Sequence, residues 1–233
     1  MSIGLTITSL SSLPHFDPRQ VPVLSIDSHL PPVALECLRP PALRRRFASL
    51  PEWEPEVTAE KSFVERAPLH ASVLVPIVMR AIPTVLLTQR ALHLSTHSGQ
   101  IAFPGGKVDE DDADATATAL REAQEELGLD PDLVQVLGVL PYYVTGSAFI
   151  ITPVVGLVEA HYSLSPNRGE VADVFEVPLE FLMNPAHHRR HAFEWQGVRR
   201  EWFSMPYQDT VSERFIWGAT AGMLRNFYRL LSV

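Results

Sequence analysis

The placement of proline constrains this chain more than any other feature. Nine of its twenty prolines fall before residue 67: Pro14, Pro18, Pro22, Pro31, Pro32, Pro40, Pro41, Pro51 and Pro55. Each removes an amide donor and restricts the residue before it, so long regular elements are not expected there. Only short helical stretches remain, at Val33 to Leu38 and Ala42 to Leu50. Residues 1–66 are therefore expected to be an extension that packs on the main domain or on a partner subunit, and residues 67–233 to hold that domain. A chain of 233 residues fits one main domain with an appendage better than two equal domains.

Beyond the prolines the pattern changes. Ser72 to Met79 and Thr84 to Thr88 are apolar, β-branched runs, read as a hairpin or as adjacent strands. A glycine-bearing loop, Gly99 to Gly106, leads into Ala113 to Leu127, which has neither Gly nor Pro and is rich in good helix formers. Asp112 or Asp114 can cap that helix, and Gly128 stands where a left-handed residue ends one. Strand signals return at Val134 to Leu140, Tyr142 to Val144 and Phe149 to Val158, and regular structure resumes at Phe175 to Leu182. Ile216, Thr220, Met223, Leu224, Phe227 and Leu231 form one helical stripe. The order predicts a mixed α/β (α+β) domain, not a doubly wound parallel fold.

Charge and length then narrow the function classes. Nineteen Lys and Arg against 27 Asp and Glu leave a net charge of −8, which argues against non-specific nucleic-acid binding. An anionic ligand must be met by local cations or a metal. The single cysteine, Cys37, excludes an internal disulfide framework and a Cys-rich zinc site, and suits a reducing cytoplasm. No apolar run approaches the roughly 20 residues that span a bilayer, and the opening MSIGLTITSLSSLP lacks a basic, then apolar, leader pattern. A cytoplasmic protein that binds neither membrane nor nucleic acid is expected.

The chemistry concentrates in the central helix. In Arg121-Glu-Ala-Gln-Glu-Glu-Leu-Gly-Leu129, residues three and four apart share a face, so Glu122 meets Glu125 and Glu126. Three carboxylates so placed repel one another, and a hard divalent cation resolves the repulsion through oxygen ligands. Arg121 can pair with Glu125 or hold one carboxylate in a fixed rotamer. A solvated acidic face is the plain alternative. It is disfavoured by Phe103-Pro-Gly-Gly106 upstream, a turn whose glycines let backbone amides approach a phosphate.

These residues resemble the Nudix box, Gly-x5-Glu-x7-Arg-Glu-U-x-Glu-Glu-x-Gly-U with U apolar. Gly106 opens it, and the half from Arg121 to Leu129 is intact. Asp112 stands for the first glutamate, and eight residues rather than seven separate it from Arg121. Leu86-Leu-Thr-Gln-Arg90-Ala91 with Gly99-Gln-Ile-Ala-Phe-Pro-Gly-Gly106 is similar to the signature that precedes the box in the coenzyme A pyrophosphatase subfamily. Ser95 replaces its second arginine. Val144-Thr-Gly146 and Ile216-Trp-Gly-Ala-Thr-Ala-Gly222 are also similar to that subfamily.

The resemblance, over about residues 70 to 230, implies a Nudix α/β/α sandwich with a mixed sheet. It also implies hydrolysis of a diphosphate with Mg2+ or Mn2+, which for coenzyme A or acyl-CoA gives 4′-phosphopantetheine, or its acyl form, and adenosine 3′,5′-bisphosphate. The metal ligands would be Glu122, Glu126 and Glu125, the last sharing the metal or polarising water, with Arg121 in support. Glu170, after the turn Pro166 to Gly169, is expected as general base. Arg90, Gly105, Gly106 and Lys107 are expected to bind substrate phosphates, and a homodimer is possible. ADP-ribose or a dinucleotide is the rival substrate, favoured by Ser95. A Nudix module that senses nucleotides without cleaving them is the rival of another class; it would be expected to have lost box ligands. His187-His-Arg-Arg-His191 invites a metal reading, disfavoured because neighbouring histidines diverge on a helix. Arg44-Arg-Arg46 reads as a solvated helix surface.

Overall fold

Strand β2, Leu69–Val78, is buried without a break from Ala71 to Val78. A strand covered on both faces must sit mid-sheet between two layers. The computed structural model describes residues 7–13, 16–94 and 96–233, so Ser95 lies outside the described residues. Before β2 come β1 (Val23–Ile26) and helix α1 (Pro40–Ala48); after it follow β3 (Thr84–Arg90), β4 (Ile101–Ala102), β5 (Gly105–Lys107) and α2 (Ala115–Leu127). Next are β6 (Val134–Val139), β7 (Tyr143–Val144), β8 (Phe149–Val158), β9 (Val171–Pro178) and the single turn α3 (Leu179–Leu182). The chain closes with β10 (Arg189–Trp195), β11 (Val198–Gln208), β12 (Glu213–Trp217) and α4 (Gly218–Leu231).

The larger sheet is mixed. Its main path runs β4-β3-β2-β8-β6, with β9 on β3, β5 on β2 and β7 on β8. β2 and β8 are parallel from Leu69 beside Phe149 to Val78 beside Val158, while β3 and β6 run antiparallel to them. Alternation along β2 sends Val73, Val75 and Ile77 into a core shared with Leu224, Phe227 and Leu231 of α4. Leu74 and Val78 enter a second core with Ala119, Ala123 and Leu127 of α2. Helix α2 thus covers one face, and α4, helped by Leu43 of α1 and Leu179 of α3, the other, giving the expected α/β/α sandwich. No helix among the described residues is long and apolar enough to cross a membrane.

A second, antiparallel sheet of order β1-β10-β11-β12 lies outside the expectation. Its hairpin turns at Gln196 and Gly197, both at positive φ (52° and 72°), between the paired Trp195 and Val198. That is the two-residue turn whose twist suits a hairpin. The helical reading of residues 187–191 is corrected: His187 ends a short 3-10 turn and Arg189 to His191 open β10. Ile216 belongs to β12, not to the last helix, although Thr220, Met223, Leu224, Phe227 and Leu231 are buried on α4. The glycine loop is two short strands, β4 and β5, and β9 begins at Val171, ahead of Phe175.

The segment before β2 is tied in by particular bonds. β1 pairs with β10, Ala59 bridges to Val144, and the Asn226 side chain accepts from the amides of Glu56 and Val57 at 2.9 and 3.0 Å. Beneath it, Asp27 and Glu56 meet Arg190 and Arg225, and Arg225 donates to His188 Nδ1 at 3.1 Å.

Candidate active site

The site forms where β5 runs under α2. β5 pairs with β2 so that Gly106 lies beside Ser72 and Gly105 beside Val73. A side chain at Gly105 would strike Ser72 and Val73, and one at Gly106 would overlap the Glu122 carboxylate. Gly105 must be glycine because its φ of 158° and the backbone of Ser72 and Val73 leave no room for a side chain, whereas a side chain at Gly106 would displace the Glu122 carboxylate. Asp114 caps α2 by accepting from the Ala117 amide at 2.9 Å, and Gly128 ends it.

Arg121 organises the acidic face. It grips Asp112 with two bonds of 2.9 and 2.8 Å, donates to Glu122 at 3.0 Å and Glu125 at 3.1 Å, and reaches the Lys107 carbonyl at 3.1 Å. Asp112 also accepts from the Asp109 amide and the Thr118 hydroxyl, both at 2.9 Å. The Arg121 hydrogen bonds, with that amide, hold the Asp112 carboxyl well below the usual range. The aspartate where the box has glutamate, one residue further from the arginine, therefore fixes that arginine by a bidentate pair.

Glu126 is buried, and its Oε2 accepts from the Gly105 amide at 3.3 Å. Burial, reinforced by the charges of Glu122 and Glu170, pushes its pKa up to about 7, against the pull of that amide and of Arg90. Burial likewise pushes Glu122 up, with Glu125 and Glu170 adding to it and Arg121 opposing. Glu125 is exposed.

Glu170 joins this group through the backbone. Asn167 donates its amide to the Glu126 carbonyl at 2.8 Å, Ser165 to that of Leu127 at 2.7 Å, and Ala91 to that of Glu170 at 2.8 Å. Its carboxylate accepts from Asn167 Nδ2 at 3.0 Å. The loop is thus anchored to the last turn of α2.

Arg90 ends β3, and its Nε is buried without a partner among the described residues. It lines a cleft of about 390 Å3 together with Gly105, Gly106 and Lys107. Apolar side chains of Phe63, Phe149, Ile151, Trp202, Trp217 and Met223 line the same space, and so does Arg200. These were missed by sequence reasoning. The available signal was the two-residue spacing of Arg200 and Trp202, which puts both on one face of a strand. His97 is half-buried, bonded to Gln100 at 2.8 Å, and lines the cleft as well. The histidines of the 187–191 run do not converge: His188 bonds the Leu182 carbonyl at 2.8 Å and His191 the Ser204 hydroxyl at 2.8 Å.

Among the described residues, no three His, Cys, Asp or Glu side chains stand ready around one point for a metal ion. Arg121 draws Glu122 and Glu125 to itself instead. The donor chemistry still fits a hard divalent cation: several carboxylate oxygens are crowded together, and two of the carboxyls are raised by burial and mutual repulsion.

A NUDIX domain model matches residues 68–204. Among curated relatives, a protein of Citrobacter koseri named uncharacterized Nudix hydrolase NudL is 44% identical over 157 residues, covering 67% of this chain and 79% of its own length. Its namesake in Yersinia pestis is 40% identical over 164 residues, covering 70% of this chain and 80% of itself. Among solved structures, a Nudix hydrolase from M. smegmatis, RenU, is 24% identical with a TM-score of 0.42, covering 50% of this chain and 74% of that one. The NUDIX domain of Shewanella oneidensis NrtR, crystallised with ADP ribose, is 24% identical with a TM-score of 0.39, covering 49% and 75%.

Proposed function

Because the chain belongs to the Nudix family and is a pyrophosphohydrolase of it, we propose that its substrate is coenzyme A or an acyl-CoA. Water would cleave the diphosphate to 4′-phosphopantetheine, or its acyl form, and adenosine 3′,5′-bisphosphate. The observation that carries this reading is the run from Leu86 to Gly106: its Arg90 and its Gly105-Gly106 turn line one cleft that Phe63, Phe149, Trp202 and Trp217 also line. A volume of about 390 Å3 is within the range of small-molecule sites.

Glu122 and Glu126 would hold Mg2+ or Mn2+, with Glu125 completing the set. When bound, such an ion offsets the charge of a diphosphate and acidifies coordinated water. Arg121 keeps Glu122 and Glu125 on the same side of α2, and Asp112 keeps Arg121 in place. Arg90, Lys107 and the glycine turn orient the phosphates. Glu170 takes the proton from the attacking water at its carboxylate; Glu125 is the alternative acceptor. Residues 67–233 form the catalytic domain in this reading, and residues 1–66 an extension that contributes Phe63 to the cleft.

The test is kcat/KM with Mg2+ for coenzyme A, dephospho-coenzyme A, ADP-ribose and a dinucleoside diphosphate. Coenzyme A is expected to lead, and Arg90→Ala to lower its value roughly 10-fold or more, the cost of a lost charged contact. Ser95, in place of the signature arginine, favours ADP-ribose as the second reading. A wild type that prefers ADP-ribose to coenzyme A overturns the substrate and leaves the family untouched.

A further inference from the structure

Three buried side-chain nitrogens lack a hydrogen-bond partner among the described residues: Arg90 Nε, Arg200 Nε and Trp202 Nε1. All three side chains line the same cleft. Leaving a buried donor unpaired is costly, so three on one cavity point to a ligand rich in acceptor atoms. Arg90 belongs to the end marked by the glycine turn. Arg200 and Trp202 come from β11, two residues apart and hence on one face of that strand.

Arg200 is also the exception among the buried arginines. Arg214 is paired with Asp173 and Asp209, and Arg225 with Asp27 and Glu56. Arg200, only 8% exposed, has no carboxylate partner among the described residues. Its guanidinium rests against the carbonyls of Trp195 at 3.3 Å, Val198 at 3.2 Å and Ser62 at 3.2 Å, and stacks on Phe63 at 4.0 Å. These contacts hold it in place without cancelling its charge. Two acids share the cleft wall, and both are engaged elsewhere: Glu60 accepts from Tyr143 at 3.0 Å and the Gly146 amide at 2.8 Å, and Glu201 pairs with Arg199 at 2.7 Å.

We propose that Arg200, with Trp202 beside it, forms an anion subsite that receives a phosphomonoester of the nucleotide, separate from the diphosphate that is cleaved. This rests on the coenzyme A reading, whose nucleotide half carries a 3′-phosphate. It supplies from the second sheet a positive charge that Ser95 does not. The plain alternative is that Arg200 only clamps the Trp195–Val198 turn to Ser62.

Binding without metal or turnover separates the two. Adenosine 3′,5′-bisphosphate and AMP differ by one phosphomonoester, and calorimetry on the wild type is expected to give the bisphosphate an affinity at least about 10-fold higher. Arg200→Gln should bind both alike, and Arg200→Lys should keep part of the difference. A clamp predicts instead a lower melting temperature with the selectivity intact, and that result overturns the subsite. Should Arg200→Gln not fold, the wild-type NMR signal of the Arg200 Nε–H decides, assigned by its loss in Arg200→Lys. It should shift with bisphosphate and stay put with AMP; no shift with either overturns the proposal. Coenzyme A hydrolysed by a wild type without bisphosphate selectivity defeats the subsite alone. Selectivity that Arg200→Gln abolishes, in an enzyme that ignores coenzyme A, upholds the subsite and defeats the substrate reading.

Discussion

Glu126 carries two opposed demands at one carboxyl. Burial raises its pKa to about 7, so the folded state bears a cost whenever the group is charged. A raised carboxyl pKa costs stability above the ordinary value near 4.5 and regains it as the proton binds. Glu126→Gln removes that cost and can still accept from the Gly105 amide. The expected outcome is a turnover loss of roughly 100-fold or more, as for a key electrostatic group, with a melting temperature at pH 8 equal to or above wild type. Wild-type turnover in this variant, or activity in excess EDTA, would remove Glu126 from the metal site. Its companion is Glu170→Gln; if it keeps full turnover across the pH range, the proton passes to Glu125. At this scale helical spacing made the placement of Glu122, Glu125 and Glu126 on α2 legible, but not that Arg121 would gather Glu122 and Glu125 while Glu126 turns to the Gly105 amide. Arg200 was not legible, since its contacts with Ser62 and Phe63 cross more of the chain than any local pattern covers.

Helix α2 was the most legible element, because cap, composition and end all agree. Asp114, the cap, accepts from Ala117, while Asp112, the other candidate, is committed to Arg121. Asp114→Ala should therefore lower stability by about 1 kcal/mol, the usual cost of a lost N-cap. A chemical melt measures it, and no loss would mean that Asp112 had taken over the cap. Long apolar strands such as β8 were equally clear, their signal being their own burial. The second sheet was hidden for a physical reason. β10 and β11 mix Arg, His, Glu and Trp, since they are only partly buried and stabilised by pairing and stacking, as between His191 and Trp202 at 5.5 Å. A period-two apolar rule finds strands of that kind only when one face is dry.

Across the whole molecule, the N-terminal segment is held by a buried polar network with a pH dependence of its own. His188 is fully buried, and its Nδ1 accepts from Arg225 while Nε2 bonds the Leu182 carbonyl. Burial first, then the Arg225 charge, lowers its pKa from 6.5 to about 4. Its proton binds more readily to the unfolded chain, so stability is full above 6.5 and falls as pH drops toward 4. The loss is on the order of 3 kcal/mol. Asp27 and Glu56 act lower: burial pushes both up, but Arg190 and Arg225 outweigh it and depress them, so their contribution disappears only below the ordinary carboxylate range. Melting curves from pH 7 to 4 should be steep for wild type and shallower for His188→Gln; equal slopes would acquit the histidine. The pairing of β1 with β10 has a further consequence, in time rather than space. Val23 meets His191, so a ribosome must finish most of the chain before β1 finds its partner. Until then β1 waits unpaired, which makes closure of the second sheet a late, high-contact-order event.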